Sequence, residues 1–448
     1  MAKNNNLTDF LTDVANAIRE KKGTSDPINP QNFSDEIASI ETGGGGGASV
    51  VTEGDVNFRD YDGTILHSYT KNEFLALSEL PELPSQPGLV CQEWNWTLSD
   101  AQTRVATTGF LEVGASYVTD DNKTRLYVAI PKARKNVSLY INPGGDINIE
   151  WGDGLIETIS GTTAVSYSHE YTKEGDYCIK ISSSDHTFTL GYNYSTSVMG
   201  SANENNAVNC NKLQKVELCN NARFYTGAFA YCTNLKAIAL PSGLSLNTSY
   251  LFSKCYELRY VALPRATTTL SSNQFQYCYG LMDISIPKET TKALEFCFYH
   301  CYGLTKIAIL ANAKSLFNSC YNLREVYTVE TLAESMFDAC HGLSKVISSI
   351  TDINNRYIFR KCYSLTYINL SQTASIGAAF GDCKGMACYD FREAVSVPTL
   401  SLTSAFDNIP ADCKIVVPDS LYESWIAATN WSTFASYIIK TSDYNPKS

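Results

Sequence analysis

Hydrophobic positions in the second half of this chain recur every 19 to 23 residues. Cysteines stand at 210, 232, 255, 278, 301, 320, 340, 362 and 383, and a phenylalanine precedes eight of these nine by three residues, from Phe229 to Phe380. Three residues after each cysteine comes leucine, or Met386 in the last unit, and six residues after the first eight comes Ile or Val, as in Val216, Ile238 and Ile307. The unit Phe-x-x-Cys-x-x-Leu-x-x-Ile-x-Leu offers one short strand and one turn, neither of which can bury its apolar side alone. Stacked copies bury both, so the pattern predicts a solenoid. Strand residues alternate between faces. Positions six and eight after each cysteine therefore point inward, and positions five and seven form an outward strip containing Lys215, Glu217, Tyr260, Asp283, Lys306, Glu325, Tyr327, Lys345, Tyr367 and Asn369.

Upstream the period changes. Leu7, Phe10, Leu11, Val14 and Ile18 lie at helical spacing ahead of Gly23, and a second helix is predicted from Pro30 through Ile40. Gly43 to Gly47 form a flexible joint. A small α+β module follows, with a helix near 71–78 and a proline-rich stretch ending at Trp94-Asn95-Trp96. Residues 112–130 read as a hairpin around Asp120-Asp121-Asn122, and alternation from Leu139 to Ile181 predicts a compact β-sandwich. The last segment carries Leu421, Trp425 and Ile426, then Trp431, Phe434 and Tyr437, as a helical cap on the open end. The expected organisation is mainly β: helices in 1–42, a linker at 43–53, an α+β module at 54–130, a sandwich at 131–200, the solenoid at 201–418 and the cap at 419–448.

Composition narrows the functions. Of 448 residues, 44% are hydrophobic and 18% charged, enough apolar matter for several cores. The net charge of −11 argues against a nucleic-acid partner, which would need a basic face. No run of about 18 apolar residues occurs, and no apolar stretch follows the opening Met-Ala-Lys-Asn-Asn-Asn, so the expectation is a chain folded in the cytoplasm without membrane insertion. The fifteen cysteines are an odd number, and the nine placed on the repeat are expected to be reduced core residues.

Three resemblances bear on identity. The repeat resembles the BspA-like, type 5 leucine-rich repeat of bacterial surface antigens over roughly residues 205–418. Trp151-Gly152-Asp153-Gly154, His169-Glu170-Tyr171 and Gly175-Asp176-Tyr177 resemble a PKD-like domain, which implies an immunoglobulin-type sandwich serving as an adhesive spacer. The opening stretch from Leu7, together with Asp60-Tyr61-Asp62-Gly63-Thr64 and Trp94-Asn95-Trp96, resembles tail and fibre proteins from phages of Gram-positive gut bacteria. That last resemblance implies a virion role with the N-terminus as the attachment end.

Candidate chemistry is sparse. Cys297, His300 and Cys301 could suggest a metal or nucleophile site, but the same cysteine recurs in turns without histidine. Asp153 and Asp176 fall short of a calcium shell, and His169-Glu170 lacks a third partner. No catalytic residue, metal or cofactor is expected. Tyr256, Tyr279, Tyr302, Tyr321 and Tyr363 each follow a repeat cysteine and form a ridge, read first as solenoid wall and second as a binding surface. The expected function is a phage tail fibre or similar appendage. Its N-terminal helices would join other virion proteins and self-associate, as a trimer or other homo-oligomer, and its solenoid would bind a host-cell protein or glycan. The residues expected to make that contact are Tyr260, Tyr327, Tyr367, Lys215, Lys306 and Lys345. A bacterial cell-surface adhesin is the alternative. A depolymerase is disfavoured because no paired acids stand in an irregular turn.

Overall fold

The computed structural model describes residues 53–193, 195–201, 209–309, 312–327, 331–347 and 350–445. The expected helices at 7–22 and from Pro30, the glycine joint and any self-association through them lie outside the described residues.

The first module is a four-stranded sheet in the order β2-β1-β4-β3, formed by β1 (Val56–Arg59), β2 (Ile65–Tyr69), β3 (Leu89–Trp94) and β4 (Leu111–Thr119). Helix α1 (Lys71–Leu75) starts at a capping box between Thr70 and Glu73. Helix α2 (Leu98–Thr108) starts where the Thr97 side chain accepts from the Asp100 N–H, and it stops at Gly109, whose φ of 84° a residue with a Cβ would resist. Phe58, Phe74, Trp94, Val105 and Val113 fill the core between helices and sheet.

Two packed sheets follow. They contain β5 (Thr124–Ile130), β6 (Asn136–Asn142), β7 (Ile147–Glu150), β8 (Ile156–Ile159), β9 (Val165–Glu170), β10 (Gly175–Ser183) and β11 (Phe188–Leu190), with a small hairpin of β12 (Thr196–Ser197) and β13 (Gly200–Ser201) beyond. The expected hairpin over 112–130 does not form. β4 stays in the first module, while β5 pairs with β10 and with the first solenoid strand, β14 (Leu213–Glu217). Arg125 holds the crossing: it pairs with Asp120 and Asp121 in the turn and with Glu217 on β14, and it donates to the Gly88 carbonyl.

Both sandwich sheets run on into the solenoid. One has the order β8-β7-β10-β5-β14-β16, where β16 is Ala237–Ala239, and the other has β9-β6-β11-β15, where β15 is Ala222–Phe224. The sandwich thus covers the N-terminal edges of both strand rows. An uncovered solenoid end would leave unpaired backbone groups and apolar surface. One continuous core runs from Leu126 through Trp151 and Phe317 to Ile438.

Four kinds of contact stack the solenoid turns. Parallel strands pair in register within groups of two to four, for example Lys306–Ala308 with Glu325–Tyr327 and the latter with Lys345–Ile347. Phenylalanines from Phe229 to Phe406 stack with centroids 5.3–5.8 Å apart and planes within 17°. Each of the seven repeat-position cysteine thiols from Cys255 to Cys383 donates to the carbonyl of the phenylalanine one turn earlier, at 3.0–3.3 Å. The fourth contact comes from the residue before each cysteine. Tyr277, His300 and Ala339 sit at φ near 60°, a conformation costing roughly 1–2 kcal/mol without glycine, and their N–H groups reach carbonyls of the following turn. The inter-turn bond offsets the backbone cost. The cysteines are thiols rather than disulfides; burial pushes those from Cys232 to Cys383 up, Cys320 to about 12, whereas a bond with Cys232 lowers that of Cys210.

The C-terminal end departs from a purely helical cap. It consists of α3 (Tyr422–Ala427), a 3-10 turn at Trp431–Phe434 and a strand, Ile438–Lys440, parallel to Lys414–Val417. The last solenoid strand leaves a row of backbone groups that only another strand satisfies. Trp425 and Trp431, both fully buried, pack on Phe391, and the Trp431 indole donates to the Pro398 carbonyl.

Candidate functional site

The outward strip of the solenoid is divided by the first module, which lies across its N-terminal part. Asn95 makes the central join. Its amide nitrogen donates to the Leu263 carbonyl at 2.9 Å, and its oxygen accepts from the Gly114 N–H and the Ser285 hydroxyl, each at 2.9 Å. The Ser285 hydroxyl shares its one proton between Asn95 and the Glu112 carbonyl, and the Tyr117 N–H donates to the Leu240 carbonyl. A Cβ at Gly114 would stand 2.4 Å from the Ala262 Cβ, so the backbones meet closely only because position 114 has none.

Arg59 fixes the edge of this junction between Glu112 at 2.5 Å and Asp283 at 3.1 Å. Glu53, Glu112 and Asp283 are the one acidic group of metal-ligand spacing among the described residues, and the Arg59 guanidinium lies among them.

The docking changes the expected binding strip. Tyr260 is 2% exposed, under the first module, and cannot be reached by a partner in this structure. Ala237, Ala239, Ala262 and Ser285 are buried with it. Lys215 bonds Glu217 and lies over the Tyr127 ring, and Lys306 lies over Phe110 at 4.0 Å. The expected set of six is therefore split. Tyr260, Lys215 and Lys306 belong to contacts within the protein, whereas Tyr327, Lys345 and Tyr367 line the part left open.

On the open part Glu325 pairs with Lys345 at 2.6 Å. Tyr367 is 45% exposed and donates to Asp390 at 2.6 Å; burial and that bond push its hydroxyl up to about 12. Asn369 is exposed beside it. This is a strip of charged, amide and phenol groups with one aliphatic side chain, half-buried Ile347 beside Tyr327, suited to a macromolecular surface.

The tyrosine ridge proves longer than the sequence indicated. Tyr256, Tyr279, Tyr302, Tyr321, His341 and Tyr363 form one ladder with centroids 4.6–4.8 Å apart and planes within 17°. Every interior ring thus has both faces occupied by its neighbours. Stacking on a sugar requires a free face, which favours the wall reading.

The remaining candidates also resolve into structure. Cys297 and Cys301 are buried thiols, and His300 Nδ1 contacts the Tyr302 hydroxyl at 2.6 Å. His169 stacks on Trp151 and meets Asp153 at 2.8 Å, while the Tyr171 hydroxyl donates to the Trp151 carbonyl. Asp176 is exposed at the start of β10. These groups clamp the sandwich turn. No helix among the described residues is long and apolar enough to cross a membrane.

Sequence reasoning missed a cleft beside the junction. Trp96, Asp100, Thr103, Arg104, Thr107, Thr108, Lys288 and Tyr327 enclose about 220 Å³ between α2 and the solenoid.

Residues 203–325 and 313–410 match the BspA type leucine rich repeat region, in six copies. Over that stretch, just under half of the chain, the solenoid is similar to leucine-rich repeats of the BspA type. Among solved structures, the chain is similar to a leucine-rich repeat protein from Bacteroides ovatus, at 21% identity over 51% of this chain and 66% of that one, with a TM-score of 0.42. It is also similar to the T. pallidum Leucine Rich Repeat protein, at 23% identity over 31% of this chain and 69% of that one, TM-score 0.30. A leucine rich cell surface protein from Faecalibacterium prausnitzii matches at 18% identity over 52% of this chain and 78% of that one, TM-score 0.28. The chain spans just under two thirds of the first structure's length. No curated protein matches it.

Proposed function

We propose that this protein is a non-catalytic recognition and adhesion protein that contacts its target through the uncovered part of the solenoid strip, from Glu325 to Asn369. The observation that supports this reading is the division of the strip. The first module covers Tyr260 and its small neighbours, while Lys345 and Tyr367 stay in solvent. The open part carries polar and aromatic side chains and Ile347, without the small residues that mark the covered part.

We read the carrier as a phage particle, with residues 1–42 joining other virion proteins and assembling copies of the chain, on the likeness of its first hundred residues to phage tail and fibre proteins. The sandwich is read as a PKD-like domain, on its Trp151, Asp153, His169 and Tyr171 arrangement. A bacterial cell-surface adhesin is the second reading, favoured by the BspA-type repeat. Antibody to the solenoid, applied to purified particles and to cells, separates the two carriers.

The recognition reading is tested by the double variant Lys345→Ala/Tyr367→Ala. Its thermal unfolding is expected to stay near that of the parent, because Lys345 is exposed and, although Tyr367 is more than half buried, its partner Asp390 keeps the Arg392 pair. Adsorption to target cells is expected to weaken by about 2 kcal/mol, roughly 30-fold, as for interface anchors. Adsorption equal to the parent's would move the contact off this strip.

A further inference from the structure

We propose that the cleft between α2 and the solenoid binds a carboxylate-bearing sugar unit, with Arg104 as its anchor. This rests on the recognition reading and adds a ligand class to it.

The cleft of this acidic protein holds one cation that, among the described residues, has no acidic partner. Arg104 is half-buried, with its guanidinium 5.3 Å from the Trp96 ring centroid, and among the described residues no carboxylate pairs with it. The acid in the lining, Asp100, is taken by Lys288 and by the Thr97 hydroxyl. Lys306 lines a smaller cavity of about 30 Å³ that also touches Trp96 and Arg104. Glu112, on the same small cavity, is engaged by Arg59 and Asn57. Burial lowers the Arg104 pKa, and nearby Tyr327 works against that. A half-buried guanidinium without a counter-charge has exchanged hydration for contact with one ring, and an incoming carboxylate would supply the missing charge pairing.

The shape and the other groups select the class. A volume of about 220 Å³ lies below the roughly 300–1,000 Å³ of sites for drug-sized ligands, so it suits one ring of a chain that continues into solvent. Guanidinium presents a planar fork that matches a carboxylate with two parallel bonds. Thr103 and Thr107, whose own protons go to the Ser99 and Thr103 carbonyls, present hydroxyl oxygens that can accept from sugar hydroxyls on the α2 wall, and Tyr327 supplies a ring opposite. Hydroxyl, ring and cation together fit an acidic pyranose better than a bare anion. The cleft also adjoins the open strip, because Tyr327 belongs to both, so a glycan lying along Glu325 to Asn369 would reach it.

Calorimetric titration of the full chain with a glucuronate-containing tetrasaccharide, a neutral glucose tetrasaccharide and a glutamate tetrapeptide tests this at fixed ionic strength. Binding of the acidic saccharide is expected in the micromolar to millimolar range, of the order of 4–8 kcal/mol. Both neutral saccharide and peptide should bind at least tenfold more weakly. Arg104→Ala should lose at least tenfold for the acidic saccharide, while Lys384→Ala, over Tyr363 and away from the cleft, should bind like the parent. Unfolding curves for each variant verify the fold, and Arg104→Lys, which keeps the charge without the fork, should recover only part of the affinity. Equal binding of the neutral saccharide, tighter binding of the peptide, or an unaffected Arg104→Ala would overturn the proposal. The two claims separate cleanly. If Lys345→Ala/Tyr367→Ala loses adsorption while glucuronate does not bind, the strip stands and the sugar assignment falls. If Arg104-dependent binding is present and adsorption ignores the strip, the reverse holds.

Discussion

Phe317→Ala is expected to destabilise the solenoid by about 3–5 kcal/mol, the range for deleting a buried phenyl ring. Phe317 is fully buried between Phe298 and Phe337, at 5.3 and 5.6 Å, with planes within 4° of each. Its backbone also serves the stack: the N–H reaches the Met336 carbonyl, and its carbonyl receives the Cys340 thiol. Removing the ring leaves a cavity that two flanking rings cannot close without losing register with their own neighbours. Because each turn contacts mainly the next, denaturant unfolding should shift and hydrogen exchange should rise first in the turns around Phe317. A loss under about 1 kcal/mol would mean that the stack adapts and that the ladder is not what holds the turns in register.

Asn95→Leu is expected to loosen the first module from the solenoid, at a cost of about 2–5 kcal/mol. Leucine is close in size but leaves the Gly114 N–H and the Leu263 carbonyl buried without partners, each worth roughly 1–3 kcal/mol. The effect should be local. Exchange should rise at Leu111–Thr119, Tyr260–Ala262 and Asp283–Ser285, while the turns from Phe317 to Phe380 keep their protection. If exchange at Tyr260–Ala262 is unchanged, the polar bridge contributes little and apolar contact alone holds the module.

The solenoid was legible in sequence because its signal is redundant. Phe, Cys, Leu and Ile recur at fixed offsets, each offset corresponding to a buried position, so single deviations such as Met386 do not hide the period. Helix α2 was harder to see. Thr103, Thr107 and Thr108 are poor helix formers that bond back to backbone carbonyls, although Thr97-x-x-Asp100 and Gly109 mark both ends. The misread hairpin has a different cause. β4 and β5 are each good strands separated by a good turn, and local pattern alone cannot say that the two serve different sheets.

The covered strip left a trace that reasoning on the outward positions alone passed over. Ala237, Ala239, Ala262 and Ser285 are small where later turns carry Lys, Glu and Tyr. Small residues on an outward strand face leave room for another backbone, and Gly114 supplies it. Trp94-Asn95-Trp96 likewise concealed three separate roles: Trp94 fills the module core, Asn95 joins module to solenoid, and Trp96 floors the cleft. The pairing of Arg104 with Trp96 and Tyr327 spans 231 positions and has no local signature at all.

The central claim, that the open strip meets the target, is tested most directly by lysine labelling of the protein adsorbed to target cells. Lys345 lies on the strip, and Lys384 lies over Tyr363 at the ladder. Both are exposed in the free protein. On adsorption, acetylation of Lys345 is expected to fall several-fold while that of Lys384 stays at its free level. Protection of Lys384 with Lys345 unchanged would contradict the account and place the contact on the aromatic ladder.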